Sequence, residues 1–365
     1  MRFIKIPHID DTWDKVHIKT LSPSSFSWIC NGCAYQVLLQ KVLYTLGDNT
    51  YFLPPHKNTI LGTIIHKIYE LASKGTLSTP REMMEIWEQL VNEQKKKLIE
   101  SYPTLLNPKI NDYDKRNKAI RYAITIHEKK TDFLLESTNI KIVSEKPIVC
   151  EDIGLSGVVD KMIIDSGNID IIDYKSGRVV DEDGNLKLEY IVQLHLYAAM
   201  CVHLSLGNIR SLKLIDIEGQ LFDIVYDEEL SKALVKDVAE RIVKLNNAIN
   251  ARQFEDLIKP DKDRCGYCSC RHICNYMIQS DELIYRTICG YVKRISSSNM
   301  YILQNGDITY YISGIGVYPI DDYYGYIGKK LVFINVIRTS SLANNYTYKA
   351  VSYTHLRAHE TCADL

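Results

Sequence analysis

The sequence predicts a mixed α/β core followed by a small all-β module, and three features of the chain predict it. Helical periodicity dominates residues 21–136. From Ile140 the apolar residues recur at every second position. Residues 284–350 are dense in Tyr, Ile and Val between Gly-bearing turns. The 365 residues are 46% hydrophobic and 24% charged, with a net charge of −1. That is core material for two domains, or for one with an appended module. A near-zero balance gives no electrostatic argument for nucleic acid, which must then rest on a site or a local patch.

Residues 1–20 read as an extended lead-in. Ser22 is a good N-cap and Pro23 suits the first helical position. The pattern carries this helix through Trp28, Cys30, Cys33, Leu38 and Val42 to Gly47-Asp48-Asn49. After Pro54-Pro55, Asn58 or Thr59 caps a helix from Ile60 to Ala72 that stops at Gly75, with Ile60, Ile64, Ile68 and Leu71 as its core stripe. Two more helices are predicted over 82–100 and 113–136. Their basic clusters, Lys95-Lys96-Lys97 and Lys115, Arg116, Lys118 and Arg121, read first as solvated faces.

A strand follows over 140–149. Strands over 155–164 and 169–174 then flank the turn Asp165-Ser166-Gly167-Asn168, where Gly and Asn supply the positive φ of a tight hairpin. A helix over 190–206, a hairpin about Glu218-Gly219 and a long helix over 228–250 complete a mixed α/β core. The cysteine cluster, 265–274, comes next. The module over 284–350 fits a five-stranded barrel whose tyrosines read as core first and as a stacking surface second. Residues 351–365 fit no earlier pattern and read as a non-native tail. The predicted domains are therefore 1–280, with a helical insertion over 76–139, and 284–350.

The N-terminus lacks a signal-peptide core, and no apolar run reaches the ~18 residues of a membrane span. A cytoplasmic protein is expected, with no membrane partner. Ten cysteines in a reducing compartment point to a metal where they cluster, not to disulfides. No Walker loop is present, so any motor belongs to a partner.

Chemistry concentrates in Gly157–Lys175. Asp160 lies mid-strand in apolar surroundings, and Asp173 and Lys175, two apart, share one face. Such carboxylates are costly unless paired. Together they suit a magnesium or manganese ion with a water beside it, the Tyr174 carbonyl being a further ligand. Lys175 is then placed to orient or deprotonate that water and to offset phosphate charge. The plain alternative is a surface Asp–Lys pair. His66 follows Gly62, which lets another segment approach the helix, and a neutral imidazole completes a metal shell. Glu70, one turn on, either holds its free nitrogen or is solvated. Gln193 and Tyr197 share a helix face and either touch phosphate or support Lys175. Cys265, Cys268 and Cys274 need a fourth thiolate, from Cys30 or Cys33. Spacing leaves open an iron–sulfur cluster or a zinc site pairing Cys30 and Cys33 with Cys265 and Cys268.

In order along the chain, Gly62-x3-His66, Gly157-x2-Asp160, Asp173-Tyr174-Lys175, Gln193-x3-Tyr197 and the cysteine set resemble the PD-(D/E)XK nuclease superfamily. The similarity is to its RecB-like branch, which includes CRISPR-associated RecB-like exonucleases and AddB-type nuclease domains, and it covers roughly residues 20–280. It implies a restriction-endonuclease-like core and a metal-dependent DNA nuclease, more an exo- than an endonuclease. His66, Asp160 and Asp173 would bind magnesium or manganese. Lys175 would assist the water, with Gln193 and Tyr197 as the supporting helix motif. It also implies a 4Fe-4S cluster on one early and three late cysteines, over zinc. Cys33 is favoured over Cys30 because Val37-Leu38-Leu39 fits the family's next positions. Cys270 has no counterpart. The expected substrate is DNA, possibly single-stranded, and the expected partner is a helicase or recombination protein. The rival readings are a non-catalytic nucleic-acid-binding protein and an assembly subunit.

Overall fold

Ser22 and Pro23 open a helix as the sequence predicts. Helix α1 spans Pro23–Cys30, and Ser22 Oγ accepts the Ser25 N–H at 3.1 Å. It does not run on to Gly47. The chain breaks through Gly32 and Cys33, and α2 (Tyr35–Leu46) starts afresh and ends at Gly47 with φ 78°. In this computed structural model the described residues are 4–30, 32–48, 51–102, 108–136, 140–279, 287–298, 300–314 and 325–359.

Helix α3 (Lys57–Lys74) is capped by His56, whose Nδ1 accepts the Asn58 N–H at 3.2 Å, so neither Asn58 nor Thr59 is the cap. Gly75, at φ 74°, ends it. Thr79 and Glu82 form a reciprocal capping box ahead of α4 (Pro80–Ser101), and α5 covers Tyr113–Glu136. Ile60, Ile64 and Ile68 are buried as their spacing predicts, while Leu71 is only half-buried at the edge. These three helices cover one face of a sheet through Tyr69, Trp87, Ile172, Tyr174 and Ile215.

That sheet has the order β2 (Ile140–Cys150), β3 (Leu155–Asp165), β4 (Asn168–Lys175), β5 (Asn208–Asp216), β6 (Leu221–Ile224). All neighbours are antiparallel except β4 and β5, which the crossover helix α6 (Leu188–His203) makes parallel. In the β3–β4 turn the two positive φ angles fall on Ser166 (49°) and Gly167 (82°), not on Asn168. Helices α1, α2, α6 and α7 (Glu228–Ala251) close the second face over a core that includes Phe26, Leu38, Ile171, Leu196 and Val238. Helices α8 (Lys262–Tyr267) and α9 (Asn275–Gln279) frame the late cysteines. The mixed α/β core expected from the sequence is present.

The C-terminal strand module is present too. It comprises β7 (Thr287–Ile295), β8 (Tyr301–Asn305), β9 (Ile308–Ser313), β10 (Lys330–Leu342) and β11 (Asn345–His359). These five strands close on themselves because β11 pairs with both β10 and β9. The inside holds Ile288, Tyr301, Leu303, Phe333 and Tyr348. Strand β11 continues through 351–359, the stretch that sequence pattern sets apart. The lead-in is not simply extended: β1 (Ile4–Ile6) pairs with the end of β11, and a 3-10 turn follows over Asp10–Lys15. Cys289, Val332 and Ile334, on an outer wall of the barrel, join the core shared by α1, α2 and α6. Among the described residues no helix is long and apolar enough to cross a membrane.

Gly207 carries the chain from α6 into β5 at φ 150°, and a Cβ there would stand 2.4 Å from the Gly167 carbonyl oxygen. Both partners are backbone, so neither can swing aside. Gly207→Ala is expected to cost about 1–3 kcal/mol, the usual range for overpacking. Chemical denaturation checks this, against Gly184→Ala in an open turn as a control for positive φ alone.

Candidate active site

Strand register builds the site. Ser144 pairs with Lys161 and Lys146 with Val159, so Glu145 stands across from Asp160. Glu145 adopts φ 51°, a left-handed conformation uncommon for a residue with a Cβ. Helix α3 brings His66 over this pair. Its Nδ1 is 3.4 Å from Asp160 Oδ1 and 3.8 Å from Glu145 Oε1. The helix can approach so closely because residue 62 is glycine: a Cβ there would lie 3.3 Å from Ser176 Oγ. Ligand atoms of His66, Glu145 and Asp160 all fall within 4.8 Å of one another. The other Asp160 oxygen accepts the Tyr174 N–H at 2.8 Å, which locks the carboxylate between β3 and β4.

Asp173 and Lys175 share the opposite face of β4 from Tyr174. Asp173 is 3% exposed. Its Oδ1 accepts the Gln193 amide N–H at 3.0 Å, and Gln193 Oε1 accepts from Lys175 Nζ at 2.9 Å. The Lys175 ammonium also lies 2.7 Å from Asp173 Oδ2 and 4.6 Å from the centre of the Tyr190 ring. Oδ2 is fully buried with that ammonium against it. A carboxylate so deeply buried needs positive charge beside it.

The electrostatics agree. Burial pushes the Asp173 carboxyl up to about 6, helped by the Asp160 charge and opposed by Lys175. Burial alone would lower His66. Hydrogen bonds to Asp160 and Glu145 and the charges of Asp160 and Asp173 override it and push the imidazole up to about 10. The imidazolium thus does what a divalent ion does better, neutralising clustered carboxylates. The donor set, one imidazole and carboxylate oxygens, fits magnesium or manganese.

The structure therefore brings His66 and Asp160 together with Glu145, which sequence reasoning missed, and joins Asp173, Lys175 and Gln193 in a second group; Asp173 acts on the first group through its charge and lies outside the 4.8 Å cluster. The signal for Glu145 was the β2–β3 register, legible once Cys150 and Leu155 are known to pair. One expectation is corrected. Glu70 does not hold His66: it is paired with Lys67 at 2.7 Å and with Lys74. Tyr197 touches Gln193, the residue that bridges Asp173 and Lys175. Its hydroxyl donates to the Val158 carbonyl at 2.7 Å, and its ring would meet a Cβ at Gly157 at 3.2 Å. It fixes the strand that carries Asp160. The Tyr174 side chain packs with Tyr69 and Tyr122 and meets the His66 ring edge-on at 6.4 Å, while its backbone N–H holds Asp160. Three members of the basic clusters on α4 and α5 have acidic partners: Arg116 with Glu88, Lys118 with Asp114 and Glu218, and Lys96 with Glu100.

A group of cysteines gathers at the ends of α1 and α8. Cys33, Cys265, Cys268 and Cys274 line one cavity of about 40 Å³, whereas about 10–15 Å³ holds a single water. Cys30 is off this cavity, and the charges it feels are Asp237 and Arg241 of α7. A hydrogen bond from fully buried Cys270 pulls the Cys268 thiol down to about 7, which favours the thiolate.

Residues 20–275 match the family model of the PD-(D/E)XK nuclease superfamily, and the chain belongs to that superfamily. Its members use divalent metal ions. A solved structure from Eubacterium rectale, described as a "putative exonuclease", is 12% identical, with 74% of this chain and 92% of that one covered. Its TM-score of 0.38 is too low to bear on fold or activity. No curated protein matches the chain.

Metal ligation needs a neutral imidazole and ionised carboxylates. With His66 protonated up to about 10, ion binding must release its proton at pH 7; below about 6 it must displace the Asp173 proton as well. Manganese affinity is expected to rise with pH by up to about tenfold per unit, more steeply at the acid end. Calorimetry in buffers of different ionisation enthalpy measures the released proton. A pH-independent affinity would contradict this charge balance. Removing the metal with EDTA is expected to lower Tm by several degrees, an effect lost in Asp160→Asn.

Proposed function

We propose that the protein is a divalent-metal-dependent deoxyribonuclease that trims DNA from an end. The observation that carries the catalytic part is the cluster of His66, Glu145 and Asp160, whose ligand atoms lie within 4.8 Å of one another, with the buried Asp173–Lys175 pair close enough for its charges to act on it. The exonuclease direction rests on the RecB-like resemblance. When bound, a magnesium or manganese ion supplies polarisation of the scissile phosphate and a water of lowered pKa.

The chain's own residues do the rest. His66, Asp160, Asp173 and the Tyr174 carbonyl are the proposed ligands, with Glu145 added by the geometry. Lys175 keeps its charge despite burial because Asp173 lies against it, so its ammonium donates to the attacking water or to a phosphate oxygen. Gln193 bridges Asp173 and Lys175, and Tyr190 confines the ammonium on its other side. Tyr197 holds β3 in place.

The four cavity-lining thiols are the proposed ligands of a 4Fe-4S cluster that joins the early helices to the late cysteine segment. Thiolates on one zinc at ~2.3 Å sit ~3.8 Å apart. Among the described residues no three of these thiols come within 4.8 Å of one another, and they surround space. That favours the larger group.

End-labelled single- and double-stranded DNA, with and without manganese, tests the activity. Asp173→Ala and Lys175→Ala are each expected to lose at least about 100-fold in rate while melting as cooperatively as the parent. Parental cleavage by both would remove the catalytic assignment. Purified without oxygen, the protein is expected to be brown with about four iron atoms per chain. A colourless, zinc-loaded protein would replace the cluster with zinc.

A further inference from the structure

The C-terminal barrel has a defined topology. Numbering its strands one to five from β7 to β11, strand one pairs with two and four, two with three, three with five in parallel, and four with five. That is the arrangement of the OB barrel, whose second and third strands commonly present oligonucleotides or oligosaccharides. Topology alone does not choose a ligand. The residues on this wall do.

Register sets the outer residues in rows. One row reads Arg294, Ile302, Tyr311, Thr347 across β7, β8, β9 and β11, and the next reads Tyr291, Gln304, Thr309, Asn345. Lys349 stands beside Ser313 at the end of the wall. All are half-buried or exposed, whereas the alternate residues Leu303, Tyr310 and Ile312 point inward. A bulge between Val292 and Arg294 exposes both Lys293 and Arg294. The rows contain two aromatic rings, amides, hydroxyls and basic ends, and no carboxylate. Among the described residues Lys293, Arg294 and Lys349 have no acidic partner, unlike Lys96, Arg116 and Lys118 of α4 and α5. Residues 287–359 hold seven basic and three acidic residues, a local charge of +4 in a chain whose total is −1. The wall formed by Cys289, Val332 and Ile334 packs against the nuclease core, whereas among the described residues none of the side chains in these two rows joins that core; Lys330 Nζ lies 6.0 Å from the centre of the Tyr291 ring.

We infer that the β7–β8–β9–β11 wall binds single-stranded DNA, with bases stacked on Tyr291 and Tyr311 and phosphates met by Arg294 and Lys349. Duplex DNA hides the ring faces that these tyrosines would stack on, and an acidic peptide would have no use for them. The choice of DNA over RNA rests on the proposed substrate of the catalytic site.

Binding of a labelled oligodeoxynucleotide to the full chain in EDTA, followed by fluorescence anisotropy, tests the site without turnover. Tyr311→Ala and Tyr291→Ala are each expected to weaken binding by about 5- to 100-fold, the range of one lost stack. Tyr311→Phe keeps the ring and the affinity. Arg294→Gln and Lys349→Gln, both on exposed positions, are each expected to reduce the slope of log affinity against log salt by about 0.7. Unchanged affinity in the alanine variants, equal binding of blunt duplex, or tighter binding of single-stranded RNA would each overturn the inference. A protein that binds in EDTA yet never cleaves would overturn the catalytic proposal and leave this one standing.

Discussion

A carboxylate as deeply buried as Asp173 must be answered by positive charge, and the surrounding elements are arranged around that requirement. Strand β4 supplies Lys175 two residues on. Helix α6 supplies Gln193, which touches both members of the pair. Strand β3 sets a second carboxylate, Asp160, beside the first, and so makes the shortage of positive charge worse. His66 is carried in from α3 and held protonated to relieve it. Folding thus produces a pocket whose electrostatics are unfinished without a small cation. Crowding like charges where water is scarce stores binding energy for such an ion, and the two distant cores on either side of the sheet hold the crowd together.

Much of this was legible in the chain, for reasons that can be stated. Long periodic segments such as Tyr113–Glu136 declare themselves because one face repeats the same choice many times. The β3–β4 hairpin was readable because its turn residues permit little else, although Ser166 rather than Asn168 took the left-handed angle. Asp160, Asp173, Lys175 and His66 stood out as polar residues in apolar company. The misses are of another kind. The helix break before Tyr35 was hidden because Cys30 and Cys33 keep helical spacing across it. The break places Cys33, and not Cys30, at the thiol-lined cavity. Glu145 was invisible because its partner is fixed by cross-strand register and its backbone angle is one that residue type does not advertise. Tyr197 shares a helix face with Gln193, as their spacing predicts, yet a helix face four residues long touches two different strands, so equal spacing led to unequal roles.

The union of the chain's far ends is likewise beyond local pattern. Ile4–Ile6 adds to the end of β11 more than three hundred residues later, and Ile4 pairs with Arg357. One barrel wall is sealed onto the α/β core by Cys289, Val332 and Ile334. The barrel is thereby held at a fixed place on the nuclease core.

Gln193 has one further implication. A carboxamide is a polar rod with unlike tips: its nitrogen can only give a proton and its oxygen can only take one. Planted on α6 with the nitrogen towards Asp173 and the oxygen towards Lys175, it reads the order of charge along β4. An inverted strand, with the base first and the acid second, would offer each tip the wrong mate unless the whole amide turned over. The helix therefore enforces a direction on the strand beneath it, and the acid-before-base order is written twice in the fold, once covalently and once across space.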